Sequence, residues 1–286
     1  MENRLNELSG SEWLYWTNTI YETSFPPDCT HNFRKMHGAM KPPEFMAEIV
    51  SFFSKSGETI LDPFAGVGGT LLGAELVNRK ALGMELNPCW VAVYQNICRE
   101  FKISKGSLVT SEEAGQAIGS QMLLGDCFTL MTDIDENSIA AIITDPPYGC
   151  HHGATGFKAE THFNMESVDP RDIGNSRDYH EYLHKMRVFG AEAYRVLRNG
   201  RYLVMLIGDR LFEGEYLPLG FKVAEVLREV GFKWKGIRIW WNKATQRPLR
   251  PYAVKACFIP NITHQTLIIM RKETVPKGKM KQTKSG

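Results

Sequence analysis

"TILDPFAGVGGTLLGAELVNRKALGMEL", Thr59 to Leu86, is the stretch that decides the fold. A short apolar run ends at Asp62 and Pro63, and a turn holds Gly66, Gly68 and Gly69. Apolar residues then recur three and four apart until a second apolar run closes on Glu85. That is strand, glycine turn, amphipathic helix, strand, the unit from which parallel sheets are built. The glycines let backbone approach a ligand at the helix N-terminus. Their spacing is not the dinucleotide G-x-G-x-x-G, because Leu71 and Leu72 stand where the third glycine would fall. Nor is there the G-K-[ST] of a phosphate-binding P-loop. Glu85 lies about 20 residues past the glycines, where doubly wound folds place an acid on ribose hydroxyls. A carboxylate there repels a 2′-phosphate, so the expected ligand carries a free ribose. Taken singly, Glu85 reads as a solvated strand end and Asp62 as a capping residue; the glycines between them favour the ligand site.

Outward from this unit the alternation continues. Seven runs read as strands: TILDPFAG, KALGMEL, QMLLGD, IAAIITDPPY, RYLVMLIGD, IRIWWNK and THQTLIIMRK. Between them GTLLGAELVNR, PCWVAVYQNICREF, SRDYHEYLHKMRVFGAEAYRVLR and GFKVAEVLREVG carry helical spacing. The expected fold class is α/β, a seven-stranded, mostly parallel sheet with helices on both faces. Residues 1–45 read as an N-terminal extension running into the first helix, 46–272 as the catalytic domain, and 273–286 as a basic, disordered tail. Two segments resist the pattern. Residues 150–176 lack periodicity and exceed the roughly 12 to 15 residues usual for a structureless loop. Residues 243–261 interleave Lys243, Arg247, Arg250 and Lys255 with Tyr252 and Phe258. Trp240 and Trp241 are assigned to strand and helix packing rather than to a stacking platform.

The bulk numbers bound the function. With 286 residues, 43% of them hydrophobic and 23% charged, the chain has material for one large core. A net charge of +2 excludes a polycation, so any nucleic-acid surface must be a local patch. No run approaches the roughly 18 apolar residues of a membrane span, and the start lacks a secretory layout; a cytoplasmic, membrane-free protein is expected. Cys29, Cys89, Cys98, Cys127, Cys150 and Cys257 include no C-x-x-C pair and read as reduced thiols, without a zinc site.

"IAAIITDPPYG", Ile139 to Gly149, ends a buried run in an acid, two prolines and an aromatic. With this motif the chain resembles the S-adenosylmethionine-dependent amino methyltransferases of nucleic-acid bases, the DPPY-type DNA N6-adenine and N4-cytosine group. "DPFAGVGGT" resembles their cofactor loop, "GMELNP" their ribose acid, "GDC" (125–127) their adenine-edge motif and "TDPPYG" their catalytic motif. "HGAMKPPEFMAEIV" resembles the helix before the cofactor loop and "THQTLIIMRK" the closing strand, so the likeness covers most of residues 31–272. It implies a Rossmann-like methyltransferase fold and S-adenosylmethionine as cofactor. The residues it assigns to that cofactor are Asp62, Pro63, Phe64, Gly66, Gly68, Gly69, Thr70, Glu85, Leu86, Asp126, Cys127 and Asp145. Two departures stand out. The cofactor loop precedes the catalytic motif, the reverse of the common bacterial order, and a separate target-recognition domain of the usual size is missing.

The likeness implies catalysis by Asp145, Pro146, Pro147 and Tyr148. An exocyclic base amine is a poor nucleophile because its lone pair is delocalised into the ring, so acceptors must help the nitrogen become tetrahedral. The Asp145 side chain and the Pro146 carbonyl can accept its N–H groups. The consecutive prolines stiffen the turn, and Tyr148 offers a stacking face. Cytosine-C5 methylation needs a Pro-Cys nucleophile after the fourth strand, whereas Pro88-Cys89 follows the second. His151 and His152 are adjacent, so they are expected to point in different directions, and no third ligand is suitably spaced, which favours base contacts over a metal. Arg247, Arg250 and Lys255 are the candidate phosphate contacts, with Arg34, Lys35 and Lys41 as the alternative DNA-facing group. Adenine N6 in DNA is the favoured target. Cytosine N4, guanosine N2 of transfer RNA, and a silent nucleic-acid-binding partner of another methyltransferase are the rivals. A cognate restriction nuclease is an expected kind of partner; the oligomeric state is left open.

Overall fold

The computed structural model describes residues 3–148, 167, 169–244, 258 and 260–274. In chain order the strands are β1 (Ile20–Thr23), β2 (Thr59–Asp62), β3 (Lys80–Glu85), β4 (Phe101–Ser104), β5 (Ser107–Thr110), β6 (Gln116–Ala117) and β7 (Gln121–Leu124). They continue with β8 (Ile139–Thr144), β9 (Leu197–Ile207), β10 (Arg210–Phe212), β11 (Glu215–Leu217), β12 (Lys233–Asn242) and β13 (Gln265–Arg271). The helices are α1 (Gly10–Trp16), α2 (His31–Arg34), α3 (Pro43–Phe53), α4 (Gly69–Leu76), α5 (Pro88–Glu100), α6 (Cys127–Leu130), α7 (Tyr179–Val196) and α8 (Leu219–Val230).

Among the described residues the central sheet has eight strands, in the order β1-β12-β13-β9-β8-β2-β3-β7. The seven expected runs are all in it, and the count of seven is corrected by β1. This edge strand comes from the supposed N-terminal extension and pairs parallel to β12, Ile20 opposite Ile239 and Thr23 opposite Asn242. Four residues with one buried face carry too little pattern to be seen as a strand alone; the edge of β12 makes them one. Only β13 runs against its neighbours, antiparallel to both β12 and β9.

Alternate residues along the inner strands point to opposite faces. Leu61, Ile142, Met205 and Ile268 enter one cluster with α7 and α8. Ile60, Ile143, Leu206 and Leu267 enter the other, with α1, α3, α4 and α5. Helices therefore cover both faces, as a parallel sheet requires. The second cluster also takes in Trp240, which is stacked on Phe45 at 4.0 Å and donates to Thr23 Oγ1 at 2.8 Å. Trp241 does not share this packing role, being 43% exposed. A three-stranded sheet of β4, β5 and β6 and a β10–β11 hairpin are additions that the sequence pattern did not reveal.

In the sheet β2 has β3 on one side and β8 on the other. The chain goes from β2 to β3 and β7, then returns across to β8 and β9, so the strand order reverses at β2. The carboxyl ends on either side of such a reversal diverge and leave a crevice, the place where open α/β sheets bind ligands.

Candidate active site

A cavity of about 360 Å³ fills that crevice. Asp62, Pro63, Phe64, Gly66, Gly69, Thr70, Glu85, Leu86, Asp126, Cys127 and Asp145 line it, together with Pro146, Pro147 and Tyr148. The glycine loop, the acid of β3, the 125–127 motif and the Asp-Pro-Pro-Tyr turn thus converge on one space. Gly68 is placed differently from its neighbours. It precedes α4 with φ 81°, and a Cβ there would lie 2.3 Å from the Tyr94 ring. It shapes the loop from behind. A Cβ on Gly69 would meet the Lys41 carbonyl oxygen at 2.9 Å, so the start of α4 is pressed against the N-terminal segment.

Both oxygens of Glu85 are held by backbone, with Gly66 N–H donating to Oε2 and Asn87 N–H to Oε1, each at 2.8 Å. This fixes the carboxylate at the cavity wall and leaves further lone pairs for a ligand. Burial pushes the Glu85 carboxyl up to about 7, against the two backbone donors that pull it down. Asp62 is 2% exposed and accepts from Thr144 Oγ1 at 2.6 Å and from Phe64 N–H at 3.2 Å. Burial again dominates and raises it to about 6, with the nearby Asp145 charge adding to the effect. Asp62 is therefore an internal brace tying the glycine loop to β8. Asp126 caps α6, accepting from Phe128 N–H at 3.1 Å. Cys127 behind it is buried, and that burial raises its thiol.

The Asp-Pro-Pro-Tyr turn is held from three sides. Tyr182 on α7 donates its hydroxyl to the Pro147 carbonyl at 2.8 Å. The Tyr148 hydroxyl donates to Asp145 Oδ1 and accepts from Gln265 Nε2. Burial, with Asp145 beside it, raises the Tyr148 phenol well above its ordinary value. Lys41 reaches Asp145 Oδ2 as an ion pair. Sequence reading missed this contact, since a residue 104 positions away gives no local signal.

The alternative DNA-facing group of Arg34, Lys35 and Lys41 is corrected here. Arg34 is 1% exposed and ion-paired with Asp28, and Lys41 points inward to Asp145. Lys35 alone is exposed, donating to Asn32 Oδ1 at 3.0 Å. His151, His152, Arg247, Arg250 and Lys255 lie outside the described residues. From the segment 150–176, Ser167, Asp169, Arg171, Asp172 and Ile173 line the same cavity.

The sequence profile of a family described as DNA methylase matches residues 2–96 and 139–285. The chain belongs to the DNA methylase family. Membership brings S-adenosylmethionine as cofactor. The cavity residues fit that molecule. A fixed carboxylate suits ribose hydroxyls, and Phe64, Leu86, Trp90 and Phe128 supply apolar walls for a nucleoside. Among curated proteins, a 135-residue stretch is 28% identical to the tRNA (guanine(10)-N2)-dimethyltransferase of Methanocaldococcus jannaschii, covering 46% of this chain and 34% of that one. A 51-residue stretch is 43% identical to the type II methyltransferase M.HindIII of Haemophilus influenzae, covering 18% and 16%. The matched region thus spans about a third of the first relative's length and less of the second. Among solved structures, TrmN from Thermus thermophilus aligns at a TM-score of 0.47 and 13% identity, over 85% of this chain and 53% of that one. Among the described residues no helix is long and apolar enough to cross a membrane.

Proposed function

We propose that this methyltransferase modifies the N6 amine of adenine in DNA. The observation that carries the reading is the Asp145 carboxylate, clamped on both oxygens at the end of β8, in the same cavity as Glu85. Bound S-adenosylmethionine supplies an electrophilic methyl group, with Glu85 as the acceptor for its ribose hydroxyls. Asp145 and the Pro146 carbonyl accept the N–H groups of the base. Their attraction grows as positive charge develops on nitrogen, which favours the transition state over the ground state. The Tyr182 contact to Pro147 and the two prolines keep that carbonyl aimed. Asp145 can also accept the proton that leaves. The Tyr148 ring offers the face for a base extruded from the duplex, a step that costs a few kcal/mol.

Adenine is favoured because an Asp begins the catalytic motif, as in the adenine-N6 branch that the motif resembles. A match over 135 residues to a tRNA guanine-N2 enzyme supports a second reading, guanosine N2 in transfer RNA. Incubating the protein with labelled cofactor and either duplex DNA or transfer RNA, followed by mass spectrometry of the nucleosides, separates the two. N6-methyldeoxyadenosine is expected. N4-methyldeoxycytidine, or N2-methylguanosine from the RNA, would replace the adenine reading.

A further inference from the structure

We propose that Lys41 is a positioning residue for methyl transfer, its ammonium fixing the Asp145 carboxylate in the orientation that receives the base amine. The inference rests on the proposed reaction at this turn and adds a residue to it. Lys41 and Asp145 have side chains only 9% and 18% exposed. Lys41 holds Oδ2 and the Tyr148 hydroxyl holds Oδ1. A carboxylate gripped at both oxygens cannot rotate about its terminal torsion, yet each oxygen keeps a lone pair for the amine. The restraint is therefore in place before substrate arrives, and little reorganisation remains for the reacting complex.

Lys41 is itself held in place. Its Nζ donates to the Ala39 carbonyl at 3.3 Å and lies 6.0 Å from the ring centres of Tyr148 and of Trp240. Its own carbonyl accepts from Arg34 Nη1 at 2.9 Å and lies against the start of α4. Arg34 in turn is anchored to Thr30 Oγ1 at 2.8 Å and to Asp28. A chain of buried polar contacts thus runs from the segment after β1 to the catalytic acid. If Lys41 served only to fasten that segment to the sheet, its removal would lower stability and leave the chemistry of the folded protein untouched.

The test is a double-mutant cycle with full-length protein under single-turnover conditions. Lys41→Met keeps the aliphatic stem. It is expected to slow methyl transfer by about 10- to 100-fold, the range for losing a hydrogen bond to a charged group. Cofactor affinity by calorimetry should stay within about 3-fold, a small change beside that loss, and Lys41→Arg should recover part of the rate. In an Asp145→Asn background the same Lys41→Met change should have little further effect, because the carboxylate on which it acts is gone. If Lys41→Met does not fold, Lys41→Gln carries the same cycle. An unchanged rate, a loss confined to cofactor affinity, or effects that multiply in the Asp145→Asn background would each overturn the proposal. Wild-type transfer is the control: its absence from both DNA and RNA refutes the proposed reaction, whereas a wild-type rate in the Lys41 variant refutes only the positioning role.

Discussion

Glu85→Ala should separate ligand binding from fold stability, and the geometry says by how much. The carboxylate accepts Gly66 N–H and Asn87 N–H at 2.8 Å each and lines the cavity proposed to hold the cofactor. Two ribose hydroxyls donating to a charged acceptor are worth roughly 1.5–3 kcal/mol each. Losing both should weaken S-adenosylmethionine binding by about 100-fold or more. The effect on the free fold is smaller because opposing terms meet. The two backbone N–H groups lose their acceptor, which costs about 1–3 kcal/mol apiece where water is excluded and less at a cavity wall. Against that, burial raises Glu85 to about 7 from an unfolded value of about 4.3, so ionising it in the fold costs roughly 3–4 kcal/mol that the alanine variant avoids. A raised carboxyl binds its proton more tightly folded than unfolded. Its effect is therefore to lower stability as pH rises from about 4.3 towards about 7, with no further change above. Asp62, raised to about 6, acts in the same direction. Thermal melts at about pH 5 and about pH 8 should show a smaller pH penalty in the variant, the remainder coming from Asp62 and from Glu44, whose carboxyl burial also raises. Calorimetry should show the affinity loss at about pH 8, where the carboxyl is ionised. Affinity within a few-fold of wild type, or a pH dependence of stability identical to wild type, would refute the assignment of Glu85.

Gly68→Ala forces a Cβ to 2.3 Å from the Tyr94 ring at a φ of 81°. It should lower stability by about 2–4 kcal/mol, read as a drop in denaturant midpoint without a change in slope. A midpoint equal to wild type would mean that the loop has another way to pack. Tyr182→Phe removes the donor to the Pro147 carbonyl. Stability should fall by about 1 kcal/mol and kcat by several-fold, with cofactor affinity unchanged; full kcat would show that the turn is aimed without it. Arg247→Ala with Arg250→Ala should weaken DNA binding and reduce its salt slope by about two phosphate contacts, cofactor binding staying constant. An unchanged slope would return residues 243–261 to plain surface.

The sequence by itself determined the elements whose signal is local. Ile60, Leu61, Ile142 and Ile143 needed no partner to read as buried strands, because they form continuous apolar runs bounded by glycine and proline. The glycine turn, Glu85 and the Asp-Pro-Pro-Tyr turn were legible for the same reason, as short motifs at fixed offsets from strand ends. Tertiary structure alone decided the contributions of residues 1–45. Ile20–Thr23 is too short to nucleate as a strand and exists only against β12. Arg34 and Lys41 look like surface cations in a polar stretch; pairing with the nearby Asp28 holds Arg34 inside, and pairing with the distant Asp145 draws in Lys41. Gly68 looks like its neighbours in the loop, yet Tyr94, a helix away, sets its constraint. A pattern along the chain reports which face of an element is apolar; which charge meets which carboxylate depends on where the chain returns.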